Sequence, residues 1–171
     1  LFWLITTSVT VSPVALSVVW LSLGGTHFFC IKNKLLNLIG IKCGKNTKVV
    51  GPLIVGKCSN IAFGSNCWVG TRFTIHGDGS FVCGDNCDFA PEVMIVTGSH
   101  EIGNANRRAG EGKNLTVTIG NGCWVGARST FIGDTRVQDA VVVAAGSCVI
   151  KDFEKNYLVG GVPAKKIREL E

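Results

Sequence analysis

A single histidine in a polar stretch is the strongest candidate for chemistry in this sequence. His100 lies in residues 97–114, which are rich in glycine and charge and have no apolar period. An imidazole accepts a proton near neutral pH, so a histidine in such a segment suits general-base catalysis. Its orienting partner is a backbone carbonyl or one of four acids: Glu101, Glu111, Glu92 and Asp78. The alternative is a solvated loop histidine without a catalytic role.

The histidines do not support metal chemistry. The chain has three of them, His27, His76 and His100. A catalytic zinc ion held by histidines takes three such ligands. No other histidine lies near His100 in the sequence, and His27 precedes the repeat described below. The sequence therefore predicts no metal cofactor.

The charge of the chain indicates an anionic small-molecule ligand or an anionic surface. The formal net charge is +5, and the basic residues are scattered except for a cluster near the end of the chain. That cluster contains Lys165, Lys166 and Arg168. No long basic run with interleaved aromatic residues occurs, so nucleic-acid binding is not expected. The alternative for the cluster is a solubilising end of the chain.

The eight cysteines favour buried, reduced thiols over a disulfide framework. No C-x-x-C pair occurs, so zinc ribbons and thioredoxin-like sites lack support. Cys67, Cys87 and Cys123 recur in one local context, Gly-Ser-Asn-Cys, Gly-Asp-Asn-Cys and Gly-Asn-Gly-Cys. A cysteine at a fixed repeat position is expected to pack the core as a small apolar group. Reduced thiols in turn indicate a cytoplasmic location.

The elements that must position these residues have an apolar residue at every sixth position. From residue 119 the run is Ile119, Val125, Phe131, Val137, Val143 and Val149. The same spacing runs through residues 41–96 with slips of two residues. A helix would show spacings of three to four and a simple strand a spacing of two, whereas six fits a solenoid of short strands and corners. Three units close a triangular coil of about eighteen residues. An ordinary β-sandwich is the alternative.

The extent of the repeat divides the chain into three parts. Residues 1–40 form an apolar N-terminal segment, residues 41–152 the solenoid domain, and residues 153–171 a C-terminal cap. Residues 97–114 break the repeat and are expected to leave the solenoid as a loop, a common place for a binding face. After a Gly-Gly-Val-Pro-Ala turn signal, the sequence predicts a short basic helix or cap over residues 165–171.

Residues 1–23 contain no charged residue and are long enough to span a bilayer, which takes about 20 apolar residues. Trp3 and Trp20 lie near the ends like interfacial anchors, and Lys32 and Lys34 follow. Serine, threonine and proline dilute the segment. An apolar cap on the first coil, a membrane-associated segment and a secretion signal therefore all remain open.

From about residue 41 to its end, the chain resembles the hexapeptide-repeat O-acetyltransferases, which include maltose, galactoside, nodulation and capsule or exopolysaccharide acetyltransferases. The motifs that carry the resemblance are Gly84-Asp-Asn86, Thr97-Gly-Ser-His100, Ile119-Gly-Asn-Gly-Cys-Trp-Val-Gly126, Ala145-Gly-Ser147, Lys151-Asp152 and Gly161-Val-Pro-Ala164. The resemblance implies an all-β fold, a left-handed parallel β-helix with an extruded loop and a short C-terminal helical cap. It also implies a homotrimer with active sites between subunits.

The resemblance further implies transfer of an acetyl group from acetyl-CoA to a sugar hydroxyl, with His100 as the catalytic base. The residues that it places at the CoA site are Trp124, Gly126, Ala127, Ala145, Gly146, Lys151, Lys165, Lys166 and Arg168. The residues that it places at the acceptor are Arg72, Asp78 and Glu101. Arg72 falls where galactoside-type relatives have an asparagine, and an arginine there would suit an acidic sugar.

Three functions follow from these observations. The leading one is acetylation of a precursor of a capsule, exopolysaccharide or O-antigen, because the segment from Thr97 to Glu101 looks more like that of the polysaccharide enzymes. The second is a small-sugar acetyltransferase of the maltose or galactoside kind. The third is a non-catalytic β-helix scaffold, which would need neither His100 nor the basic tail.

Overall fold

A short helix caps the first coil of the solenoid. The computed structural model describes residues 25–56 and 58–171. Helix α1 (Phe29–Leu38) buries Lys32 and Leu36. The Lys32 ammonium donates to the carbonyls of Gly25, Val49 and Val50 at 2.5, 3.3 and 3.2 Å, and its burial lowers the pKa of the side chain. These hydrogen bonds fasten the helix to the corner that follows the second strand.

The predictions for residues 1–23 concern a part of the chain outside the described residues. Among the residues that the structure does describe, no helix is long and apolar enough to cross a bilayer.

Each coil contributes one strand to each of three parallel sheets. Sheet 1 contains β1 (Lys42–Cys43), β4 (Asn60–Phe63), β7 (Ser80–Cys83), β12 (Thr116–Ile119) and β15 (Thr135–Val137). Sheet 2 contains β2 (Lys48–Val49), β5 (Trp68–Val69), β8 (Asp88–Phe89), β13 (Trp124–Val125), β16 (Val142–Val143), β18 (Tyr157–Gly161) and β19 (Ala164–Glu169). Sheet 3 contains β3 (Leu53–Val55), β6 (Phe73–His76), β9 (Met94–Val96), β14 (Thr130–Ile132) and β17 (Cys148–Val149).

The predicted all-β, left-handed parallel β-helix is confirmed. The apolar residues of the six-residue period point inward, and Phe73, Phe81, Phe89 and Phe131 have no exposed surface. Full burial of one such side chain contributes roughly 1.5–3 kcal/mol. The core therefore runs as one apolar column along the axis, from the first coil to the last.

The slips in the period arise from two coil lengths. Lys42 pairs with Ala62, so equivalent positions of the early coils are 20 residues apart, whereas in the later coils the separation is 18. The two extra residues of the longer coils lie in the corner between sheets 3 and 1, since Ile75 and Cys83 are eight residues apart whereas the equivalent Phe131 and Val137 are six apart. The six-residue count then restarts two residues later. The predicted coil length of about eighteen residues holds only for the later coils.

Corners between sheets 1 and 2 use the left-handed backbone conformation. Asn46, Asn66 and Asn86 occupy the same corner position with φ of 61, 56 and 58°. Asparagine tolerates this region better than most other residues with a side chain. The three amides also form a ladder along the stack, with hydrogen bonds of 3.2 and 3.3 Å. The Gly-x-Asn pattern of the sequence thus serves the turn and the stacking together.

The predicted C-terminal helix is wrong, because residues 164–169 form a strand of sheet 2 instead. Strand β18 continues sheet 2 beside β16, and β19 folds back on it as an antiparallel hairpin, with Gly161 opposite Ala164. A helix of seven residues is marginal by itself, since the first turn fixes several residues for a single hydrogen bond. The open edge of sheet 2 offers a full set of backbone partners, so the strand conformation prevails.

The insertion at residues 97–114 is also more regular than a loop. It leaves the solenoid between sheets 3 and 1 as an antiparallel hairpin of β10 (Gly98–Ile102) and β11 (Ala109–Asn114). A register shift lies between His100 and Ile102. The backbone of the insertion therefore satisfies its own hydrogen bonds away from the solenoid.

One column of glycines should be sensitive to any side chain. A Cβ atom on Gly64 would lie 2.3 Å from the carbonyl oxygen of Gly84 in the next coil. Because backbone must move to relieve that contact, we expect Gly64→Ala to lower the free energy of unfolding by about 1–3 kcal/mol. Urea denaturation followed by circular dichroism measures the change.

Gly56→Ala is the matched control for this variant. Its added Cβ would meet nothing closer than 3.5 Å, and the equivalent positions in later coils carry His76 and Val96. An equal loss of stability in both variants would contradict the explanation by coil stacking.

Candidate active site

His100 lies on the exposed hairpin with one ring nitrogen already engaged. Its Nδ1 is 3.0 Å from the carbonyl oxygen of Gly110 on the opposite strand. A carbonyl only accepts hydrogen bonds, so Nδ1 must be the protonated nitrogen of the neutral ring. Nε2 is then left as an acceptor. This is the tautomer that a general base requires, because its free lone pair can take a proton from a substrate hydroxyl.

The orienting partner is therefore the backbone carbonyl of Gly110. Among the acids considered for this role, Glu101 accepts from Lys113 at 2.9 Å. Glu92 is bound by two arginines at a different corner. No pattern in the sequence marked Gly110, because its carbonyl is brought to His100 only by the register of the hairpin.

The base of the hairpin is locked into the wall of the solenoid. Thr97 is fully buried, and its hydroxyl donates to the carbonyl of His76 at 3.0 Å and accepts from the backbone N–H of Gly79 at 3.2 Å. The Leu115 N–H in turn donates to the Thr97 carbonyl at 2.8 Å. Asp78 lies between Gly77 and Gly79 in the coil below, next to this anchor. The hairpin thus extends from a fixed base.

The predicted acceptor residue Arg72 lies at another corner, between sheets 2 and 3. There it forms an ion pair with Glu92, whose other carboxylate oxygen binds Nε of Arg128 at 2.7 Å. Arg72 first and Arg128 second hold the pKa of the Glu92 carboxyl below its ordinary value. The three residues occupy equivalent positions in consecutive coils, with φ of 56, 64 and 60°. Sequence reasoning missed this grouping, although the coil spacing would have revealed it.

Both arginines keep donors for a further anion. The Arg72 side chain is 59% exposed and that of Arg128 is 76% exposed. Each uses one nitrogen on Glu92. A guanidinium has five N–H donors, so most donors of each arginine are not used on Glu92.

The small residues predicted to line the CoA site share the corner of Arg72. Gly126 and Ala127 lie in one coil, and Ala145 and Gly146 lie directly beside them in the next, with the Gly146 N–H donating to the Ala127 carbonyl at 2.8 Å. A Cβ atom on Gly126 would lie 2.5 Å from the backbone nitrogen of Ala145. Gly126 therefore has no room for a side chain against the next coil, whereas Ala145 and Gly146 are exposed and leave the corner bare of long side chains at these positions.

The remaining predicted CoA residues are spread over the upper coils. Trp124 is 59% exposed on the outer face of sheet 2. Lys151 follows β17, and its ammonium lies 5.6 Å from the centre of the Phe153 ring. Lys166 donates to Glu154 at 2.5 Å and lies over the Tyr157 ring, and Glu154 raises the pKa of its ammonium. Lys165 and Arg168 form no ion pair within the described residues.

The structure thus brings the predicted residues together in three groups and not in one. His100, Glu101 and Asp78 lie at the corner between sheets 3 and 1. Arg72 and the four small residues lie at the corner between sheets 2 and 3, one strand length or about 13 Å away along sheet 3. The basic residues of β19 lie on the edge of sheet 2.

A groove of about 800 Å³ lies elsewhere, between α1 and the early coils. Its lining includes Trp68, Asp88 and the lysines Lys34, Lys45 and Lys48. It adjoins the first coils and does not include the hairpin, so it is not part of the candidate active site.

Known proteins resemble this chain over most of its length. A galactoside O-acetyltransferase of Escherichia coli is 34% identical over 127 residues, which are 74% of this chain and 63% of that protein. A putative acetyltransferase of Saccharomyces cerevisiae is 32% identical over 139 residues, 81% of this chain and 71% of that protein. The solved structure of a galactoside acetyltransferase in complex with coenzyme A has a TM-score of 0.76 at 25% identity, covering 92% of this chain and 80% of that one. No family model matches the sequence.

The stacked parallel coils place the chain in the class of left-handed β-helices built from hexapeptide repeats. Together with these relatives, this fold shows that the chain belongs to the hexapeptide-repeat acetyltransferase family. The chain spans just under two thirds, 63%, of the E. coli relative.

The role of Thr97 as the anchor of the hairpin can be tested with two Thr→Val substitutions that should have different effects on the free energy of unfolding. Thr97→Val leaves the buried N–H of Gly79 without its partner, which should lower the free energy of unfolding by about 1–3 kcal/mol. Thr135 is also buried, but its hydroxyl has no hydrogen-bond partner among the described residues. Thr135→Val should therefore leave stability unchanged or increase it. Chemical denaturation of both variants measures the difference, and a stabilising Thr97→Val would contradict the anchor.

Proposed function

We propose that this chain is an acetyl-CoA-dependent O-acetyltransferase that acts on a hydroxyl of a sugar, with His100 as the general base. The observation that carries the proposal is the contact of His100 Nδ1 with the carbonyl oxygen of Gly110, which leaves Nε2 as the acceptor of the neutral ring. Family membership supports the reaction class. A non-catalytic scaffold would have no need for an oriented imidazole on an anchored hairpin.

The reaction consists of one nucleophilic substitution at the thioester carbon. As the sugar oxygen attacks that carbon, its proton passes to Nε2 of His100. The tetrahedral intermediate then collapses with cleavage of the C–S bond, and the imidazolium returns the proton to the leaving thiolate of CoA. The products are the sugar ester and free CoA. A base acting in the transition state in this way contributes about 10²–10⁴-fold in rate.

Acetyl-CoA would lie along the upper coils. The bare corner of Gly126, Ala127, Ala145 and Gly146 lets the pantetheine and thioester approach the backbone closely. Trp124 and Lys151 flank this region. The cations of β19, Lys165, Lys166 and Arg168, suit the phosphates of CoA, because charge-assisted contacts to phosphate oxygens are strong.

The three groups of residues support a homotrimer with sites between subunits. In one chain the hairpin and the bare corner are separated by the width of a sheet, so a second copy is needed to bring a corner against a hairpin. Ile132 and Ile150, 37% and 51% exposed, lie in one column on the outer face of sheet 3 near the hairpin. Apolar residues in such a position favour burial against another copy.

The acceptor that we propose is an acidic sugar of a polysaccharide precursor, bound by Arg72, Asp78 and Glu101. The support is the pair of part-free guanidinium groups of Arg72 and Arg128, since a carboxylate fits their remaining donors. A neutral small sugar is the second candidate, favoured by the galactoside acetyltransferase relative. Assays with neutral galactosides and with sialic-acid or galacturonate oligosaccharides distinguish the two.

His100→Ala should lower kcat at least about 10²-fold while acetyl-CoA still binds, because a general base acts mainly on the transition state. Steady-state acetylation assays and isothermal titration with CoA measure the two effects. His76→Ala serves as the comparison, since it removes the exposed imidazole in the neighbouring coil. If His76→Ala abolishes turnover and His100→Ala retains it, the base has been assigned to the wrong histidine.

The cations of β19 should differ in their importance for CoA. Replacing both Lys165 and Arg168 by alanine should raise the KM for acetyl-CoA by about tenfold or more, because each loses a hydrogen bond to a charged group. Lys166→Ala should have a smaller effect, since its ammonium is already engaged by Glu154 and Tyr157. Added salt should raise the wild-type KM in the same direction. An unchanged KM in the double variant removes these residues from the CoA site.

A further inference from the structure

The groove between helix α1 and the early coils has the features of a second binding site. Its volume of about 800 Å³ lies in the range of sites that hold small molecules. The lining includes Lys34 from α1, Lys45 and Asn46 from the corner between sheets 1 and 2, and Trp68 and Asp88 from the outer face of sheet 2. We call this space the α1 groove.

Strand pairing places an aromatic ring between a cation and a carboxylate on the floor of the α1 groove. Lys48 of β2 and Asp88 of β8 are the partners of Trp68 in the coils below and above. All three side chains point outward from sheet 2, with a spacing of about 4.8 Å between strands. Trp68 is 37% exposed, and the ring of Phe29 packs edge-on against it at 5.8 Å between centres. The helix thus supports the indole while part of its surface stays accessible.

Three lysines bring positive charge to the α1 groove from three different elements. Lys34 comes from the helix, Lys45 from the corner and Lys48 from the floor, and all three are exposed. None of them forms an ion pair within the part of the chain that the structure describes. A lysine ammonium is a flexible point charge with three donors. Lysines on separate elements therefore suit several separate anionic groups better than one compact anion.

The other polar groups of the α1 groove suit hydroxyl groups. Asp88 is an exposed carboxylate, which only accepts hydrogen bonds. The amide N–H of Asn46 is used on Asn66 at 3.2 Å, so its amide oxygen is left as an acceptor. A carboxylate on the floor repels a compact polyanion such as a pyrophosphate, whereas it accepts hydrogen bonds from hydroxyls. The site thus combines acceptors for hydroxyls with cations at its margins.

These features together favour an acidic oligosaccharide. The C–H groups on one face of a pyranose ring pack well against the negative face of an indole, here that of Trp68. Sugar hydroxyls can donate to Asp88 and Asn46, and carboxylates on successive sugars supply the separated charges that the lysines suit. A nucleotide has an aromatic base for Trp68, but it concentrates its charge on phosphates that would lie near Asp88.

The distance to His100 requires that such a ligand be a chain and not a single sugar. The α1 groove adjoins the corner between sheets 1 and 2, whereas the hairpin leaves the corner between sheets 3 and 1. The width of sheet 1, about 13 Å, separates these two corners. On the outer face of sheet 1, the middle coils carry the short side chains of Ala62, Val82 and Thr118 in one column. A sugar chain can therefore cross these coils without meeting a long side chain in that column.

We propose that the α1 groove binds a segment of an acidic oligosaccharide and retains the acceptor chain while another sugar of the same chain reacts at His100. This inference rests on the proposed function, which supplies an acidic polysaccharide acceptor. It adds a contact that takes no part in the chemistry. Two linked contacts raise the affinity for a long acceptor, because the second one forms within the same complex. A single sugar gains nothing from the α1 groove.

The first test is binding to the full chain without acetyl-CoA, measured by isothermal titration calorimetry. The probes are a galacturonate oligosaccharide long enough to span sheet 1 and a neutral maltooligosaccharide of equal length. We expect the acidic probe to bind at least about tenfold more tightly, and added salt to weaken it. Trp68→Leu and Lys48→Gln should each weaken its binding about fivefold or more. Lys48→Gln alters only an exposed side chain, so it keeps the test valid if Trp68→Leu disturbs the packing of Phe29.

Lys155→Gln is the matched control, because it removes the same charge from an exposed lysine outside the α1 groove. It should bind the acidic probe like the wild type. All these variants keep the candidate active site, so a difference between Lys48→Gln and Lys155→Gln assigns the binding to the α1 groove. Equal affinities in these two variants would overturn the proposal. The ligand class is wrong if uridine diphosphate binds more tightly than the acidic probe and loses affinity in Lys48→Gln.

The second test separates this inference from the proposed function. If the chain acetylates sugars, Lys48→Gln should raise the KM for the galacturonate oligosaccharide about fivefold and leave that for methyl galacturonoside unchanged. An equal change in KM for both acceptors would contradict a role in holding long chains. If the wild type acetylates no sugar, the proposed function fails, and the titrations still decide whether the α1 groove binds the acidic probe.

Discussion

The parallel stacking of coils is the constraint on which every other feature of this structure depends. Each strand forms hydrogen bonds with the same strand of the coil below and above, so a given position recurs as a column along the axis. Each side chain in a column must pack against an identical or a compatible side chain of the neighbouring coil, about 4.8 Å away. Apolar residues satisfy this condition in the core, and asparagines satisfy it at the corner between sheets 1 and 2. Glycines occupy the positions where the backbone of the next coil is too close for a Cβ atom.

This constraint explains how far the sequence could predict the fold. The six-residue period identified most inward positions because at least one residue of each short strand must enter the core. The difference between coils of 20 and 18 residues was visible only as slips, since a period says nothing about which corner holds the extra residues. The C-terminal strand β19 was missed for a different reason. Its strand conformation depends on pairing with the edge of sheet 2. Residues 165–171 contain no local sequence pattern that indicates such a pairing.

Residues for a candidate site could be proposed from the sequence, whereas their arrangement could not. His100 stood out by type and context, whereas its partner, the carbonyl of Gly110, depends on the register of two hairpin strands. Backbone carbonyls carry no sequence signal, so a partner of this kind is accessible only from the structure. Arg72 was also identified from sequence, but its clamp by Glu92 links equivalent positions 20 residues apart and follows only from the coil length.

The proposed base and the proposed phosphate-binding cations lie where the regular stacking of coils is interrupted. Inside a regular coil each side chain is fixed by its equivalents, which leaves little freedom to place a reactive group. The hairpin is free of this restriction, because the chain leaves the solenoid at Thr97 and rejoins it at Leu115. It can therefore present an imidazole without disturbing the stacked coils. Strand β19 is also free of this restriction, because it pairs antiparallel with β18 and lies outside the stack of parallel coils. A rigid solenoid therefore supplies fixed anchor points, and the two departures from the repeat carry the proposed base, His100, and the cations of β19. These departures lie on different faces of one chain, which is the reason for proposing that surfaces from more than one copy form the complete site.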